Sequence, residues 1–206
     1  MLDAQRRTWA GTGLEERRAA RREALLGAGI ELLGAEGGAA VSVRAVCRSA
    51  ALTERYFYES FADRDEFVRA VYEDVGRQAR DALVAAVASS GSPQDRAVAA
   101  VSAFVELMVD DPARGRVLLL APLAEPALGG QGLELAPAFV LLVHEQLSPL
   151  SDPDARQMTA VGLVGALTSL FIGYLDGTIT APREQFVAHC VALLQAAGQP
   201  PGGSRG

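Results

Sequence analysis

Few residues of this 206-residue chain are equipped for covalent chemistry. Its two histidines, His144 and His189, stand in different segments, and so do its two cysteines, Cys47 and Cys190. Two distant thiols build neither a disulfide framework nor a cysteine-based zinc site. There is no glutamate–histidine metal pattern and no phosphate-cradling glycine loop. The chain therefore reads as a non-enzyme with no metal site and no cofactor. Both cysteines have apolar helical neighbours and read as buried thiols of a reducing compartment.

Residues suited to recognition crowd instead into one short stretch, Thr53 to Phe61, reading TERYFYESF. At about 100° per helical residue, a helix with Phe57 turned to a core brings Phe61 to within about 40° of it. Arg55 and Glu59 then point outward, Tyr56 and Tyr58 flank them, and Thr53 stands at the N-terminus. Exposed tyrosines beside an arginine suit a surface that stacks on sugars and hydrogen-bonds phosphates.

The elements that must hold this stretch are helices throughout, since alanine and leucine dominate and nothing alternates with period two. Residues 1–13 read as a flexible arm. Thr12 and Glu15 fit a capping box for a helix from Leu14 to about Glu36, stopped by Gly37-Gly38. Ser42 caps a helix from Val43 to Ala50, and Thr53 caps another ending near Phe61. Asp63 and Glu66 repeat the capping-box pattern and open a helix to about Ala88. Three later starts place a capping residue before a proline: Ser92-Pro93, Asp111-Pro112 and Asp152-Pro153. Pro122 to Gly132 reads as a loop. A helix from Leu133 to Leu147 follows, with Pro137 in its first turn. The next runs from Pro153 to Asp176, broken at Asp176-Gly177, and the last runs from Pro182 to about Gly198. The sum is nine helices in an all-α chain. Residues 14–62 form a three-helix helix-turn-helix unit, residues 63–198 a six-helix domain, and residues 199–206 a disordered tail.

Charge divides the same way. The chain has no lysine, and its net charge is −6. Residues 1–80 hold 13 arginines against 13 acids, and the remaining residues hold six arginines against 12 acids. Acidity thus belongs to the C-terminal part. Nucleic-acid affinity would have to come from the placement of arginines rather than from bulk charge. The uncharged run Met158–Leu175 reaches the length of a membrane span, but its glycines, Thr159, Thr168 and Ser169 and the lack of basic anchors favour a buried helix. No apolar stretch follows the N-terminal arginines, so no signal peptide is expected and the location is cytoplasmic.

Residues 21–75, RREALLGAGIELLGAEGGAAVSVRAVCRSAALTERYFYESFADRDEFVRAVYEDV, resemble the DNA-binding domain of tetracycline-repressor (TetR) family regulators. The resemblance implies a ligand-responsive regulator, by habit a repressor, that binds a palindromic double-stranded DNA operator as a homodimer. It implies that Ser42 meets phosphate at the start of the second helix, that Arg44 beside it meets phosphate or a base edge, and that Thr53, Arg55 and Tyr56 line the base-reading side of the third. Tyr58 matches a phosphate-contacting tyrosine, and Arg64 takes the place of a basic residue that grips the backbone. Arg17, Arg18, Arg21 and Arg22 reach for phosphate or minor groove, or else form a solvated face with Glu15, Glu16 and Glu23. Ala51 departs from the glycine common in the turn, a cost on the order of 1 kcal/mol if it is left-handed. Glu59 is either turned aside or accepts a hydrogen bond from a cytosine amino group.

In such regulators the C-terminal helices dimerise and bind an effector. Gly162, Gly165, Ala166, Ser169 and Gly173 form a small-residue stripe that lets another helix approach closely. Phe186, Cys190 and Leu194 supply the second helix of that interface. Pocket-wall candidates for a small, largely apolar effector are Phe104, Leu107, Met108, Leu119, Phe139, Val143, Phe171 and Tyr174, with His144 and Tyr174 as polar contacts. The same residues at helical spacing also describe ordinary core. A helical sensor or carrier that does not bind DNA is the competing expectation, favoured by Glu54 and Glu59 on the reading helix.

Overall fold

The computed structural model describes residues 2–129, 131–146 and 152–197. Among them are ten α-helices and no strand. They are α1 (Leu2–Glu36), α2 (Val43–Ser49), α3 (Glu54–Tyr58), α4 (Arg64–Ala88), α5 (Pro93–Met108), α6 (Pro112–Leu119), α7 (Ala121–Ala124), α8 (Gln131–Gln146), α9 (Pro153–Leu175) and α10 (Arg183–Ala197).

Capping chemistry sets most boundaries. The side chains of Ser42, Asp63, Ser92, Asp111 and Asp152 each accept a hydrogen bond from a backbone N–H of the first turn they precede. Glu66 reaches back to the Ala62 N–H at 2.7 Å while its own N–H donates to Asp63, closing the start of α4. Thr53 precedes α3 without such a bond. Asp176 and Gly177, the latter at φ 83°, end α9.

Three boundaries differ from expectation. The N-terminal residues continue α1 back to Leu2, so Thr12 and Glu15 lie inside a helix and open none. Between Leu2 and Thr12 the helix breaker is Gly11, whose cost of about 1 kcal/mol a long helix absorbs. Pro122 to Gly132 is not a loop. Pro122 and Pro126 each sit in the first turn of a short element, α7 and a 3₁₀ turn at Pro126–Leu128, by the rule that places the three other proline starts. That adds the tenth helix. Pro137 lies inside α8 rather than in its first turn. The expected tail, residues 199–206, falls outside the described residues.

One continuous apolar core runs from α1, α2 and α3 through α4, α5 and α6 to α9 and α10. α4 serves both ends of it. Phe67 and Val71 pack under α1, where Gly29 leaves the room, and Val75 and Ala79 are buried further along. α1 also touches α6 so closely that a side chain at Gly34 would strike the Ala113 backbone. A second, small cluster of Ala160 and Leu163 gathers Val140, Val143, Leu193 and Leu194.

Candidate nucleic-acid interface

The helix-turn-helix rests on an aromatic wedge. Phe57, Phe61 and Phe67 are buried, with ring centroids 5.0–5.5 Å apart. Val46 and Cys47 hold α2 against the same core, and burial raises the Cys47 thiol above its ordinary value. The turn between α2 and α3 passes through Ala51 at φ 53°, the left-handed region that a side chain disfavours. Its neighbour Leu52 donates its N–H to the Cys47 carbonyl at 2.9 Å and closes the turn.

With Phe57 fixed inward, the polar face turns out as the helical angles require. Arg44 and Arg55 are 89% and 83% exposed in their side chains. Tyr58 is 56% exposed, and Ser42 and Thr53 are exposed beside them. Arg48, one turn beyond Arg44 on the same face of α2, is exposed too. Sequence reasoning missed it, although its spacing from Arg44 was available. Tyr56 is half-buried, with the Arg21 guanidinium 4.5 Å above its ring. Arg22 lies the same distance over Phe61. These two arginines of α1 therefore pack on α3 and on the segment that follows it, while Arg17 donates to the Gly13 carbonyl and Arg18 pairs with Glu15.

Both carboxylates of the reading helix are tied to arginines. Glu54 lies 3.5 Å from Arg44. Glu59 accepts from Arg55 at 3.0 Å and faces Arg21 at 3.9 Å. Of its two expected orientations, Glu59 takes the one turned aside toward α1. There it lies between Arg55 and Arg21.

Arg64 is not a free backbone grip. Its Nε donates to the Val41 carbonyl at 2.8 Å and its Nη2 to the Gly38 carbonyl at 2.7 Å. Nη1 and Nη2 donate to the two oxygens of Glu125 at 3.1 and 2.9 Å, and Nη1 also donates to Asp65 at 2.9 Å. A guanidinium has five N–H donors, and these five bonds engage its whole capacity. The main partner, Glu125, is remote in sequence and invisible to local pattern.

In the C-terminal part, the structure brings most of the proposed pocket residues together. Phe104 meets Phe139 and Phe171 at ring-centroid distances of 6.3 and 4.8 Å, and Phe171 meets Phe186 at 5.0 Å. Tyr174 leans on Phe186 at 4.3 Å. Leu107, Met108 and Leu119 belong to the same cluster, whereas Val143 belongs to the small second one. His144 is half-buried in the last turn of α8.

The stripe on α9 is divided. Gly162, Gly165, Ala166 and Ser169 are exposed, and nothing lies within 4 Å of where a side chain would start at either glycine. Met158 and Val161 beside them are 68% and 52% exposed. Gly173 is buried against Ile179, whose N–H donates to the Gly173 carbonyl at 2.7 Å, so it packs within its own chain. Phe186 and Cys190 are also inward, and burial pushes the Cys190 thiol up to about 11. Leu194 is half-buried between the two clusters. The outward face of α10 is Gln185, Ala188, His189 and Ala192 instead. α9 is long and apolar enough to cross a membrane, yet it packs on α6, α8 and α10.

Residues 25–71 match the family model described as bacterial regulatory proteins, tetR family. No curated protein matches the chain. Among solved structures, a protein described as a TetR-family transcriptional regulator from Rhodococcus sp. is 20% identical. It superposes with a TM-score of 0.72 over 88% of this chain and 100% of its own. The fatty acid degradation regulator FadR from Bacillus halodurans is 15% identical, with a TM-score of 0.69 over 90% of this chain and 96% of its own. The multidrug binding protein EbrR, solved with imidazole, is 23% identical, with a TM-score of 0.64 over 89% and 97%. At these identities the likeness is one of fold.

Proposed function

We propose that this chain is a regulator of the tetR family, whose model its residues 25–71 match, and that it binds a palindromic operator as a homodimer and leaves it when a small apolar effector binds. The observation that carries the reading is the face of α2 and α3. Arg44, Arg55 and Tyr58 project together from a turn whose inner side is locked by buried phenylalanines. Arg55 reads a base edge, with guanine its best partner, and Ser42, Thr53, Arg44, Arg48 and Tyr58 hold the phosphates. Tyr56 and Arg21 brace the helix from behind. Such a protein acts in the cytoplasm, where the chromosome is.

The exposed small-residue face of α9, with the alanine-lined face of α10, is the surface proposed for the second copy. Glycines with empty space in front of them allow close helix approach, and exposed Met158 and Val161 supply apolar area. Two-fold symmetry then sets two α3 helices one DNA turn apart, about 34–36 Å. The aromatic cluster around Phe104, Phe139 and Phe171 is the proposed effector wall, with Leu107, Met108 and Tyr174 beside it. An effector there shifts the population toward a dimer whose reading helices are wrongly spaced. Similar folds include a fatty acid degradation regulator and a multidrug binding protein, which supports an apolar ligand.

The competing sensor without DNA binding drew on Glu54 and Glu59. Both carboxylates are neutralised by Arg44 and by Arg55 with Arg21, so they do not stand as bare charges against phosphate. Footprinting upstream of the gene tests the reading. Protection of a palindrome, lost in Arg55→Ala and weakened steeply by salt, is expected. An intact dimer that protects nothing at low salt would favour the sensor.

A further inference from the structure

Glu125 is the charged residue found fully in the interior among the described residues, its side chain 5% exposed. It lies between α7 and the turn Pro126–Leu128, and its Oε1 also accepts from the Ala127 N–H at 3.3 Å. Leu128 of that turn is buried against α4. Glu125 therefore belongs firmly to the C-terminal helices. Its carboxylate nevertheless faces the segment that introduces α2, because Arg64 joins Glu125 to the carbonyls of Gly38 and Val41. The fit is steric as well as electrostatic. A side chain at Gly38 would run into the Glu125 carboxylate.

We propose that Arg64 and Glu125 are a positioning pair that sets the angle between the helix-turn-helix and the C-terminal helices. Any event among the C-terminal helices that withdraws Glu125 releases Gly38–Val41, and with it α2 and α3. The inference rests on the DNA-binding reading only for its consequence. The tie itself is a property of the protein alone. A buried carboxylate whose partner is lost is costly, so the pair behaves as a unit rather than as two independent charges. The fork of Arg64 is engaged by two carbonyls and two carboxylates.

The test uses the full chain with Arg64→Gln, Glu125→Gln, the double variant, Glu125→Asp and Gly38→Ala. Amide hydrogen exchange is followed without DNA. Affinity is measured for the duplex that the wild-type protein enriches from random-sequence DNA. Exchange in α2 and α3 should rise tenfold or more in Arg64→Gln, Glu125→Gln and Gly38→Ala, with α9 and α10 unchanged. Duplex affinity should fall about tenfold, the salt dependence should stay as in wild type, and the double variant should be no worse than either parent. Glu125→Asp, which keeps the charge but shortens the reach, should show a smaller rise of the same kind and covers the case where a neutral variant folds poorly. The proposal is overturned if exchange in α2 and α3 is unchanged. It is equally overturned if Arg64→Gln lowers the salt slope by about 1 while Glu125→Gln binds normally, the signature of a lost phosphate contact. If wild type enriches no duplex, the DNA reading fails and the exchange data alone decide the tie.

Discussion

Two aromatic clusters of similar make-up do opposite work. Phe57, Phe61 and Phe67 are all sealed from solvent. In the C-terminal cluster Phe171 and Phe186 are sealed, but Phe104, Phe139 and Tyr174 are only half-buried. Ring distances in the two overlap, so contact geometry does not separate them. Exposure does. A sealed wedge fixes a reading helix in one pose, whereas a cluster with open members has faces left for a ligand to cover. The surfaces above them differ in kind as well. Over the first lie arginines paired with glutamates; over the C-terminal helices lies a strip of glycine, alanine and methionine.

The comparison can be broken by truncation. Phe57→Ala should cost about 3–5 kcal/mol by denaturant unfolding, the range for a large side chain removed from a full core. Phe139→Ala should cost about 1–2 kcal/mol, because its site is already partly wetted. It should also abolish the thermal stabilisation that the proposed effector wall predicts for an apolar probe such as naphthalene, about 2.7 kcal/mol at a hundredfold excess over Kd. Equal costs for the two truncations would erase the distinction between wedge and wall. Ala51→Gly should stabilise by about 1 kcal/mol, since it relieves the left-handed residue at φ 53° without touching either cluster.

A smaller effect distinguishes the joint between the regions. The hydrogen bonds from Arg64 hold the Glu125 carboxyl below its ordinary value, against the opposing effect of burial. A carboxyl lowered on folding contributes stability that is whole above its unfolded pKa, roughly 4.3, and is lost as pH falls through the lowered folded value. Acid titration of wild type and Glu125→Gln should therefore converge below that window and separate above it. Curves that stay parallel throughout would remove Glu125 from the joint.

How much of this could be read from sequence follows the range of the interaction. Helix starts at Ser42, Asp63, Ser92, Asp111 and Asp152 depend on atoms within four residues, and local chemistry found them. Phe57 and Phe61 depend on one helical period, and so does the outward set of Arg55 and Tyr58. The pairing of Arg64 with Glu125 is out of reach of local pattern, because only the folded chain joins the two. Phe186 and Cys190 face inward, which periodicity alone does not decide, because alanines and valines surround them on α10, whose outer side is marked by Gln185 and His189. Gly173 continues the α9 stripe by spacing, but Ile179 from the following turn covers it. Arg21 and Arg22 read as part of a charged face, and only the fold brings Tyr56 and Phe61 beneath them.

Selection from random-sequence duplex DNA tests the central claim most directly. The account predicts enrichment of one palindrome with half-sites about 10–10.5 base pairs apart, or a multiple of that, centre to centre. It predicts a guanine preference in each half-site that disappears in Arg55→Ala while the dimer survives. A correctly folded dimer that enriches no sequence at low salt, or one whose preference is the same with and without Arg55, would contradict it.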